Sequence, residues 1–169
     1  MEYISTRNKN LNYNFKEIFL RGLAPDGGLF IPKKIKTFNK SEIEGLSQLT
    51  YTDLAAEIIS LFCSPDIDKN NLKKLIKKSY QSFITEEVIK IKKVGDVNLV
   101  ELYHGPTLAF KDIAMQVLGN LYDELKIASA KAVNIVVATS GDTGSAAIAA
   151  LNDRKNINVF VLHPHKKIS

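Results

Sequence analysis

The chain has 169 residues, of which 45% are hydrophobic, enough for a core of ordinary size and too many for an intrinsically disordered segment. Its formal net charge of +5 comes mostly from lysines scattered through predicted helices, which disfavours a nucleic-acid partner. One cysteine and three histidines exclude an internal disulfide scaffold and a recognisable zinc spacing. The apolar stretches are too short to cross a bilayer and the first residues lack a secretory signal, so we expect a cytoplasmic protein with no membrane partner.

Short strands, helices and turns alternate at the start of the chain. Residues 3–5 predict a strand, and residues 15–20 predict a helix stopped by Gly22. Residues 24–28 (APDGG) predict a turn, because glycine, proline and aspartate favour the required backbone angles.

Two amphipathic helices and a hairpin are predicted next. The helices cover residues 51–62 and 68–83, and we interpret the lysine-rich face of the second as solvated surface. Residues 88–94 and 97–103 are short runs that flank Gly95-Asp96, which predicts a tight hairpin.

The last third of the chain predicts a parallel βαβ unit. Helices over residues 108–127 and 141–151 alternate with strands over 133–138 and 157–162. Both strands are mostly apolar without alternation, which is typical of a parallel sheet covered on two faces and connected with a right-handed crossover. We therefore expect an α/β fold with an incomplete open sheet, in which residues 1–90 form an amino-terminal domain and residues 91–169 part of a second domain.

One lysine lies among apolar positions of the 108–127 helix. At about 100° per residue, Lys111 falls near Met115, Leu118 and Tyr122. An ammonium in such surroundings tends to have a depressed pKa, which favours the neutral amine that Schiff-base chemistry needs. The alternative is that Lys111, in the first turn of its helix, extends to solvent. A separate polar stripe of the helix comprises Asp112, Gln116, Asn120 and Asp123.

A loop rich in glycine and hydroxyl groups follows the 133–138 strand. Residues 138–147 (ATSGDTGSAA) lie at the carboxyl end of that strand and open a helix, where free amides favour a carboxylate or phosphate. The pattern is neither the Walker sequence nor GxGxxG, which disfavours kinase-like and dinucleotide-binding functions. The alternative is an ordinary turn with Ser140, Asp142 or Thr143 as the helix N-cap.

The histidines and the segment before Lys111 give weaker signals. Pro106 moves Gly105 away from helical angles, and Thr107 could cap the helix start. We interpret His104 as a loop side chain in preference to a site residue, and His163 and His165 as surface residues.

The segment His104–Asp112 (HGPTLAFKD) closely resembles the threonine synthase family, which are pyridoxal-phosphate enzymes of the fold type II (tryptophan synthase β-like) group. Three further segments agree in the same order, so the resemblance covers essentially the whole chain: GLAPDGGLFIP at 22–32, ATSGDTGSAA at 138–147 and VFVLHPHKKIS at 159–169.

This resemblance implies conversion of O-phospho-L-homoserine and water to L-threonine and phosphate, the last step of threonine biosynthesis, with pyridoxal 5′-phosphate as cofactor. Lys111 matches the family's lysine that holds the cofactor covalently and then moves protons at the substrate carbons. Other fold type II enzymes commonly have asparagine at the position of Asp142, so Asp142 favours threonine synthase over a dehydratase or racemase.

The resemblance also implies the remaining site residues. The family's loop receives the substrate carboxylate and the ring-hydroxyl edge of the cofactor, with Asp142 on the cofactor. Phe110 and Thr107 frame the cofactor, and Thr107 is also implied on the substrate side. The corresponding loop residues are Ser140, Gly141, Asp142, Thr143 and Gly144.

The chain departs from the family in length and near its end. Family members are much longer, and the phosphate cradle, the partner of the pyridine nitrogen and further strands would lie beyond Ser169. We therefore expect an amino-terminal portion that needs the carboxyl-terminal remainder as its protein partner and is inactive without it. His163 stands where relatives often have tyrosine, and residues 165–167 where a glycine is usual, so this end could fold differently or not at all.

Two alternatives remain open from the sequence. The chain could be a non-catalytic, truncated fragment, prone to aggregation because its sheet edges are unpaired. It could also be part of a threonine-synthase-like phospholyase, which shares the lysine motif and eliminates phosphate from a related amino-alcohol phosphate.

Overall fold

A computed structural model describes residues 1–126 and 132–167. The chain divides into two compact units, Met1–Ile76 and Lys77–Ser169. The predicted domain boundary at residue 90 stays a prediction, because compactness alone does not define a domain. Ile127, where the predicted helix ends, and Ile168 and Ser169 of the last motif lie outside the described residues.

The first unit is mainly helical, with one small sheet. Its elements are β1 (Tyr3–Ser5), α1 (Phe15–Arg21), β2 (Phe30–Pro32), α2 (Lys40–Leu46), α3 (Tyr51–Cys63) and α4 (Lys69–Ser79), the last of which runs on past residue 76. The predicted strand and helices are present, although α4 is shorter than the predicted 68–83 helix. β2 and α2 were not predicted.

Local capping explains where the short helices begin. The Asn14 side chain accepts a hydrogen bond from the Glu17 amide, and the Glu17 side chain accepts one from the Asn14 amide. Asn39 and Glu42 form the same reciprocal pair before α2. Such capping boxes satisfy two amides that a helix start would otherwise leave unpaired.

The core of the first unit is built from α3 and α4. Leu72 and Ile76 are fully buried, and Cys63 is fully buried at the end of α3. Burial, more than any neighbouring charge, raises the pKa of the Cys63 thiol to about 11. Cys63 therefore behaves as a small apolar side chain.

The second unit contains the hairpin and the parallel unit. Its elements are β3 (Lys90–Val94), β4 (Val97–Glu101), α5 (Lys111–Lys126), β5 (Val133–Ala138), α6 (Asp142–Leu151) and β6 (Ile157–Leu162). The predicted hairpin is confirmed: β3 and β4 pair antiparallel around a two-residue turn in which Gly95 has a φ of +60°. Glycine suits that position because other residues are strained at positive φ.

The predicted parallel pairing is also confirmed. β5 and β6 run in register from Val133 opposite Ile157 to Ala138 opposite Leu162, and α6 connects them. A small core between this sheet and the helices contains Ala147, Ala150, Leu151 and Ile157, with Met115, Tyr122, Ile135, Val137 and Val159 packed against it.

The expectation that both sheet faces are covered is wrong for the described residues. α5 and α6 pack on the face that carries Ile135, Val137 and Val159. The opposite face leaves Val136 and Phe160 more than half exposed. The physical reason is that both neighbouring helices lie on one side, so the apolar strands, which have the composition of doubly covered strands, are covered only once.

Two local expectations also need correction. α5 begins at Lys111, not at residue 108, because Leu108 takes a left-handed φ of +59° that interrupts helical geometry. The segment after β6 has local structure up to Lys167, whose amide donates to the Pro164 carbonyl oxygen at 3.3 Å, so it is not unfolded throughout.

Candidate functional site

α5 and α6 lie side by side and run in the same direction. A Cβ atom on Gly119 would lie 2.5 Å from the Ala150 carbonyl oxygen, which marks a close helix approach. Four residues further along each chain segment, the Arg154 guanidinium binds the Asp123 carboxylate. Arg154 lies three residues before β6, at the amino edge of the sheet, and also binds Asn120, so the later half of α5 lies at the edge where α6 ends and the two helices run in parallel.

This arrangement brings the two predicted site segments to one edge of the sheet. Lys111 lies eight residues before Gly119, and Asp142 eight residues before Ala150, which is about 12 Å along each helix at 1.5 Å per residue. The Thr139 amide, just before α6, donates to the Leu162 carbonyl oxygen at the end of β6. Both helices therefore begin at the carboxyl edge of the parallel sheet, where ligands of open α/β sheets bind.

Lys111 is the first residue of α5 and is half-buried. Its Nζ lies 4.7 Å from the centre of the Phe110 ring, and Phe110 is 54% exposed. Met115 and Tyr122, predicted near Lys111, pack instead against the core beside α6. Lys111 thus lies at the start of α5, before the part of the helix that packs against the core. Its ammonium lies over an aromatic ring.

A buried carboxylate holds the loop before Lys111. Asp112 is fully buried; its Oδ2 accepts from the Thr107 amide at 2.8 Å and its Oδ1 from the Thr107 hydroxyl at 2.7 Å. As a helix cap, Thr107 was expected to accept a hydrogen bond from a helix amide. It instead donates two hydrogen bonds to the side chain of Asp112 in the helix. The predicted polar stripe of α5 is also largely buried, since Gln116 and Asn120 are 8% and 6% exposed.

The loop after β5 is organised by a threonine that the sequence did not single out. Thr139 Oγ1 accepts from the amides of Gly141 and Gly144, each at 3.2 Å. A Cβ on Gly144 would lie 2.5 Å from Thr139 Cγ2, so only glycine fits this close approach. Gly141 is the N-cap of α6 and makes no side-chain capping bond, so the alternative of capping by Ser140, Asp142 or Thr143 is wrong.

A cleft of about 180 Å³ opens at the start of α6. Four of the five predicted loop residues line it, whereas Thr143, Thr107, Phe110 and Lys111 do not. His163, interpreted from sequence as a surface residue, is exposed and lines the same cleft because it follows β6 directly. The full lining is Thr139, Ser140, Gly141, Asp142, Gly144, Ser145, Ile148, Val161 and His163.

Sequence reasoning missed a polar cluster at the base of the hairpin. Glu101 is 6% exposed and its Oε1 lies 2.6 Å from Lys92 Nζ; its Oε2 lies 3.4 Å from Nε2 of the buried His104. The hydrogen bond from Lys92, followed by one from Tyr103, lowers the pKa of the Glu101 carboxyl, against the opposing effect of desolvation. The signal in the sequence that could have predicted this cluster was an acidic residue on one strand of the hairpin, close to lysines on the other strand.

Residues 1–126 and 132–167 hold neither a cluster of metal ligands nor a membrane-spanning helix. No group of three or more His, Cys, Asp or Glu side chains is placed there to hold a metal ion. No helix in the same residues is long and apolar enough to cross a membrane.

These features define the class: an α/β unit with a lysine and a glycine-rich, hydroxyl-bearing loop at the carboxyl edge of a parallel sheet. Residues 2–80 match the family described as the threonine synthase N terminus. The chain is 40% identical to threonine synthase of Pseudomonas aeruginosa, over 100% of this chain and 36% of that protein. It is 40% identical to threonine synthase-like 2 of Xenopus laevis, over 98% of this chain and 35% of that protein.

A solved structure agrees with the sequence matches. The structure of threonine synthase from Brucella melitensis, described as bound to PLP, superposes with a TM-score of 0.91 at 35% identity, covering 100% of this chain and 37% of that one. The chain spans about a third of the length of the curated relatives it matches. Over its whole length the chain is similar to about a third of these threonine synthases, and its fold agrees with the solved structure over that part.

Proposed function

We propose that the chain supplies the catalytic lysine and the anion-binding loop of a cytoplasmic threonine synthase, a lyase that uses pyridoxal 5′-phosphate. The reaction is conversion of O-phospho-L-homoserine and water to L-threonine and phosphate. The observation that carries the proposal is that Lys111 and the Ser140–Gly144 loop begin parallel helices at the same carboxyl edge of the sheet.

The described residues fit part of the cofactor. Lys111 offers an amine for covalent attachment, half-buried and held over Phe110. The cleft of about 180 Å³ is smaller than the roughly 300 Å³ at which ligand pockets begin, so it suits one anionic group and one edge of a ring. Lys111 would hold the cofactor and Asp142 would contact it, while Phe110 would frame it.

Lys111 has two tasks in this proposal. When bound, the cofactor supplies an electron sink that stabilises negative charge on the substrate carbons. Once its amine is released, Lys111 removes and returns protons at the α, β and γ carbons of the substrate. The place of Lys111 at the open end of a helix gives its amine the freedom to reach successive carbons.

The loop at the start of α6 has the complementary task of binding anions. Its N-cap, Gly141, has no side chain, and Thr139 Oγ1 accepts from the Gly144 amide, so the amides of Asp142 and Thr143 are those proposed to receive an anion at the positive end of the helix. The amides of the first turn and the hydroxyls of Ser140 and Thr143 would receive the substrate carboxylate. Orientation of the substrate by its carboxylate places its reacting carbons toward Lys111.

Activity requires more protein than this chain supplies. The parallel sheet has two strands within the described residues, and one of its faces is exposed. The relatives are nearly three times as long. We infer that the remaining part, whether continuous with this chain or separate, is the protein partner that encloses the cofactor.

Covalent trapping tests the role of Lys111. Incubation with pyridoxal 5′-phosphate followed by borohydride fixes the cofactor on the lysine that binds it, and peptide mass spectrometry identifies that lysine. We expect saturable labelling at Lys111, absent in Lys111→Ala and unchanged in Lys93→Ala, a control on the exposed hairpin. Labelling of Lys111 no greater than that of Lys93 would contradict the proposal for this chain alone.

Complementation tests the reaction. The chain is mixed with the carboxyl-terminal two thirds of a threonine synthase relative, and phosphate release from O-phospho-L-homoserine is measured. We expect activity only with both parts, and at least about a thousandfold less with Lys111→Ala, because the amine both binds the cofactor and moves protons. Well-folded parts that associate without activity would favour the non-catalytic alternative.

A second candidate function rests on the match to threonine synthase-like 2. A phospholyase of that kind would use the same lysine but eliminate phosphate from a related amino-alcohol phosphate. The complemented protein is therefore also assayed with phosphoethanolamine-type substrates. Phosphate release from these without threonine formation would replace the first proposal.

A further inference from the structure

We propose that Thr107 and Asp112 form a latch that positions Lys111, and that Thr107 acts through Asp112 and not as a donor to the substrate. The inference rests on the proposed function, since it concerns the same lysine. It assigns a role to Asp112, which the motif places next to Lys111, and it changes the role that the resemblance implies for Thr107.

The geometry of the latch is a closed ring of contacts. Asp112 lies in the first turn of α5 and is fully buried. Its two carboxylate oxygens accept from the amide and the hydroxyl of one residue, Thr107, at 2.8 and 2.7 Å. Two charge-assisted bonds to a single partner fix both its position and its orientation. The six-residue segment from Thr107 to Asp112 is thereby tied across its ends, and Lys111 lies within it.

The neighbouring backbone leaves the latch little room to rearrange. A Cβ on Gly105 would lie 2.3 Å from Asp112 Cβ and 2.6 Å from Asp112 Oδ2, so the loop is packed directly on the carboxylate. Leu108 is held at a φ of +59°, a conformation that costs energy for a residue with a side chain. Its amide donates to the Gly105 carbonyl oxygen at 3.1 Å. Strained backbone persists only where surrounding contacts determine it, and the latch supplies such contacts.

The hydrogen-bond inventory of Thr107 separates the two possible roles. A threonine has two donors, its amide and its hydroxyl, and both are already given to Asp112. Donation to a substrate carboxylate or phosphate would break one of these bonds and leave an oxygen of a buried carboxylate unsatisfied. Such a loss is costly for a charged group. Thr107 is therefore a positioning residue, and the anionic group of the substrate would bind at the loop before α6.

Three variants distinguish the latch from a general effect on stability. Thr107→Val removes the hydroxyl donor while keeping the shape, and Thr107→Ser restores the hydroxyl. Ser79→Ala is the matched control, because Ser79 is 2% exposed and its hydroxyl accepts a buried hydrogen bond from Asn120, at 2.8 Å, in the same unit. A control that loses a buried polar contact elsewhere in this unit shows what destabilisation alone does to Lys111.

Three readouts are taken on the full chain. Trapping with pyridoxal 5′-phosphate and borohydride gives the ratio of labelling at Lys111 to that at Lys93. Carbamylation by cyanate at one fixed pH gives the ratio of modification at Lys111 to that at Lys93, which reports the accessibility of the Lys111 amine and needs no cofactor site. Hydrogen exchange at the residue 107 amide reports the latch itself.

We expect Thr107→Val to lower the trapping ratio about tenfold, because displacement of a reacting group by a fraction of an ångström has effects of this order. We also expect it to speed exchange of the residue 107 amide and to bring the carbamylation ratio closer to one, because Lys111 is half-buried in the wild type and Lys93 is exposed. Thr107→Ser should restore all three readouts, and Ser79→Ala should leave them unchanged.

Other outcomes overturn the inference. Faster exchange with unchanged trapping and carbamylation would show that the latch is structural but does not position Lys111. Lower trapping with unchanged exchange would show that Thr107 acts on the ligand directly. Failure of the proposed function is distinguishable, because wild-type Lys111 would then trap no more cofactor than Lys93. A change in the carbamylation ratio on Thr107→Val would still support the latch in that case, and an unchanged ratio would refute it.

Discussion

Asp26 ties the turn before β2 to the first strand. Its Oδ1 accepts from the Gly28 amide at 2.9 Å and from the Ser5 hydroxyl at 2.7 Å, and the Arg7 guanidinium donates to its carbonyl oxygen at 3.0 Å. The Gly28 amide and then the Ser5 hydroxyl lower the pKa of the Asp26 carboxyl. The resemblance gave this turn no role, and the contacts show that it closes the β1–β2 pair.

The close packing of this turn makes Gly28 sensitive to a single methyl group. A Cβ on Gly28 would lie 2.3 Å from Ser5 Oγ and 3.0 Å from Asp26 Oδ1, so the Asp26–Ser5 bond would have to move. We expect Gly28→Ala to lower the free energy of unfolding by about 1–3 kcal/mol, as overpacking does. Urea denaturation followed by circular dichroism measures the change.

Gly45 provides the control for that substitution. It lies in α2, and a Cβ there would meet no atom within 4 Å. Gly45→Ala should therefore be neutral or stabilise the chain by up to about 1 kcal/mol, because alanine restricts the unfolded chain. Equal effects of Gly28→Ala and Gly45→Ala would show that the Asp26 turn is not closely packed.

At the scale of elements, the β3–β4 hairpin is fixed at one end by a single buried carboxylate. Both strands are otherwise largely exposed, while Glu101 faces inward between Lys92 and His104. The hydrogen bond from Lys92 is the main cause that lowers the pKa of Glu101. A carboxyl with a lower pKa in the folded state stabilises that state above its unfolded pKa of about 4.3, and the contribution disappears as pH falls through the folded value.

This sign predicts an acid-sensitive hairpin. Lys92→Met should lower the urea midpoint at pH 7. The difference from wild type should shrink as pH falls from the unfolded pKa of about 4.3 through the lower folded pKa of Glu101, where the wild-type carboxyl becomes protonated. Lys93→Met is the control, because Lys93 is paired with Asn98 across the hairpin. A Lys92→Met effect that is constant between pH 7 and pH 3 would contradict a role for the Glu101 charge.

The elements that sequence predicted well carry strong local signals. The apolar runs of β5 and β6, with a helix of small residues between them, predict a parallel unit because a helical crossover is the usual connection between parallel strands. β2 and α2 were missed because three and seven residues give too little periodicity to detect. The early start predicted for α5 failed because the left-handed Leu108 depends on contacts of the loop, not on its own propensity.

The residues of the candidate site also divide into those that the sequence predicted and those that it did not. Lys111 and the Ser140–Gly144 loop could be found from sequence because their chemistry is local to a motif. The acceptor role of Thr139 and the buried partners of Asp112 could not, because they depend on how the backbone folds back on itself. His163 lines the cleft because it follows β6, which pairs in parallel with β5.

At the scale of the whole molecule, the uncovered sheet face is the largest departure from a self-contained fold. Val136 and Phe160 are directly paired across β5 and β6 and are 62% and 53% exposed, and Leu162 on the same face is 59% exposed. Contiguous apolar surface of this kind promotes association in water. The net charge of +5 opposes association only at long range and is screened by salt.

We therefore expect the isolated chain to self-associate through this face, and more strongly as salt is raised. The double variant Val136→Thr, Phe160→Thr removes apolar area and keeps residues that favour β-strands. It should weaken association about tenfold or more. Sedimentation velocity over a concentration series measures the effect. Ile84→Thr is the control, because Ile84 is more exposed, at 71%, but lies outside the sheet. The expectation would be contradicted if the chain stayed monomeric at every concentration. It would also be contradicted if the double variant and Ile84→Thr had equal effects, because association would then not occur through the exposed sheet face.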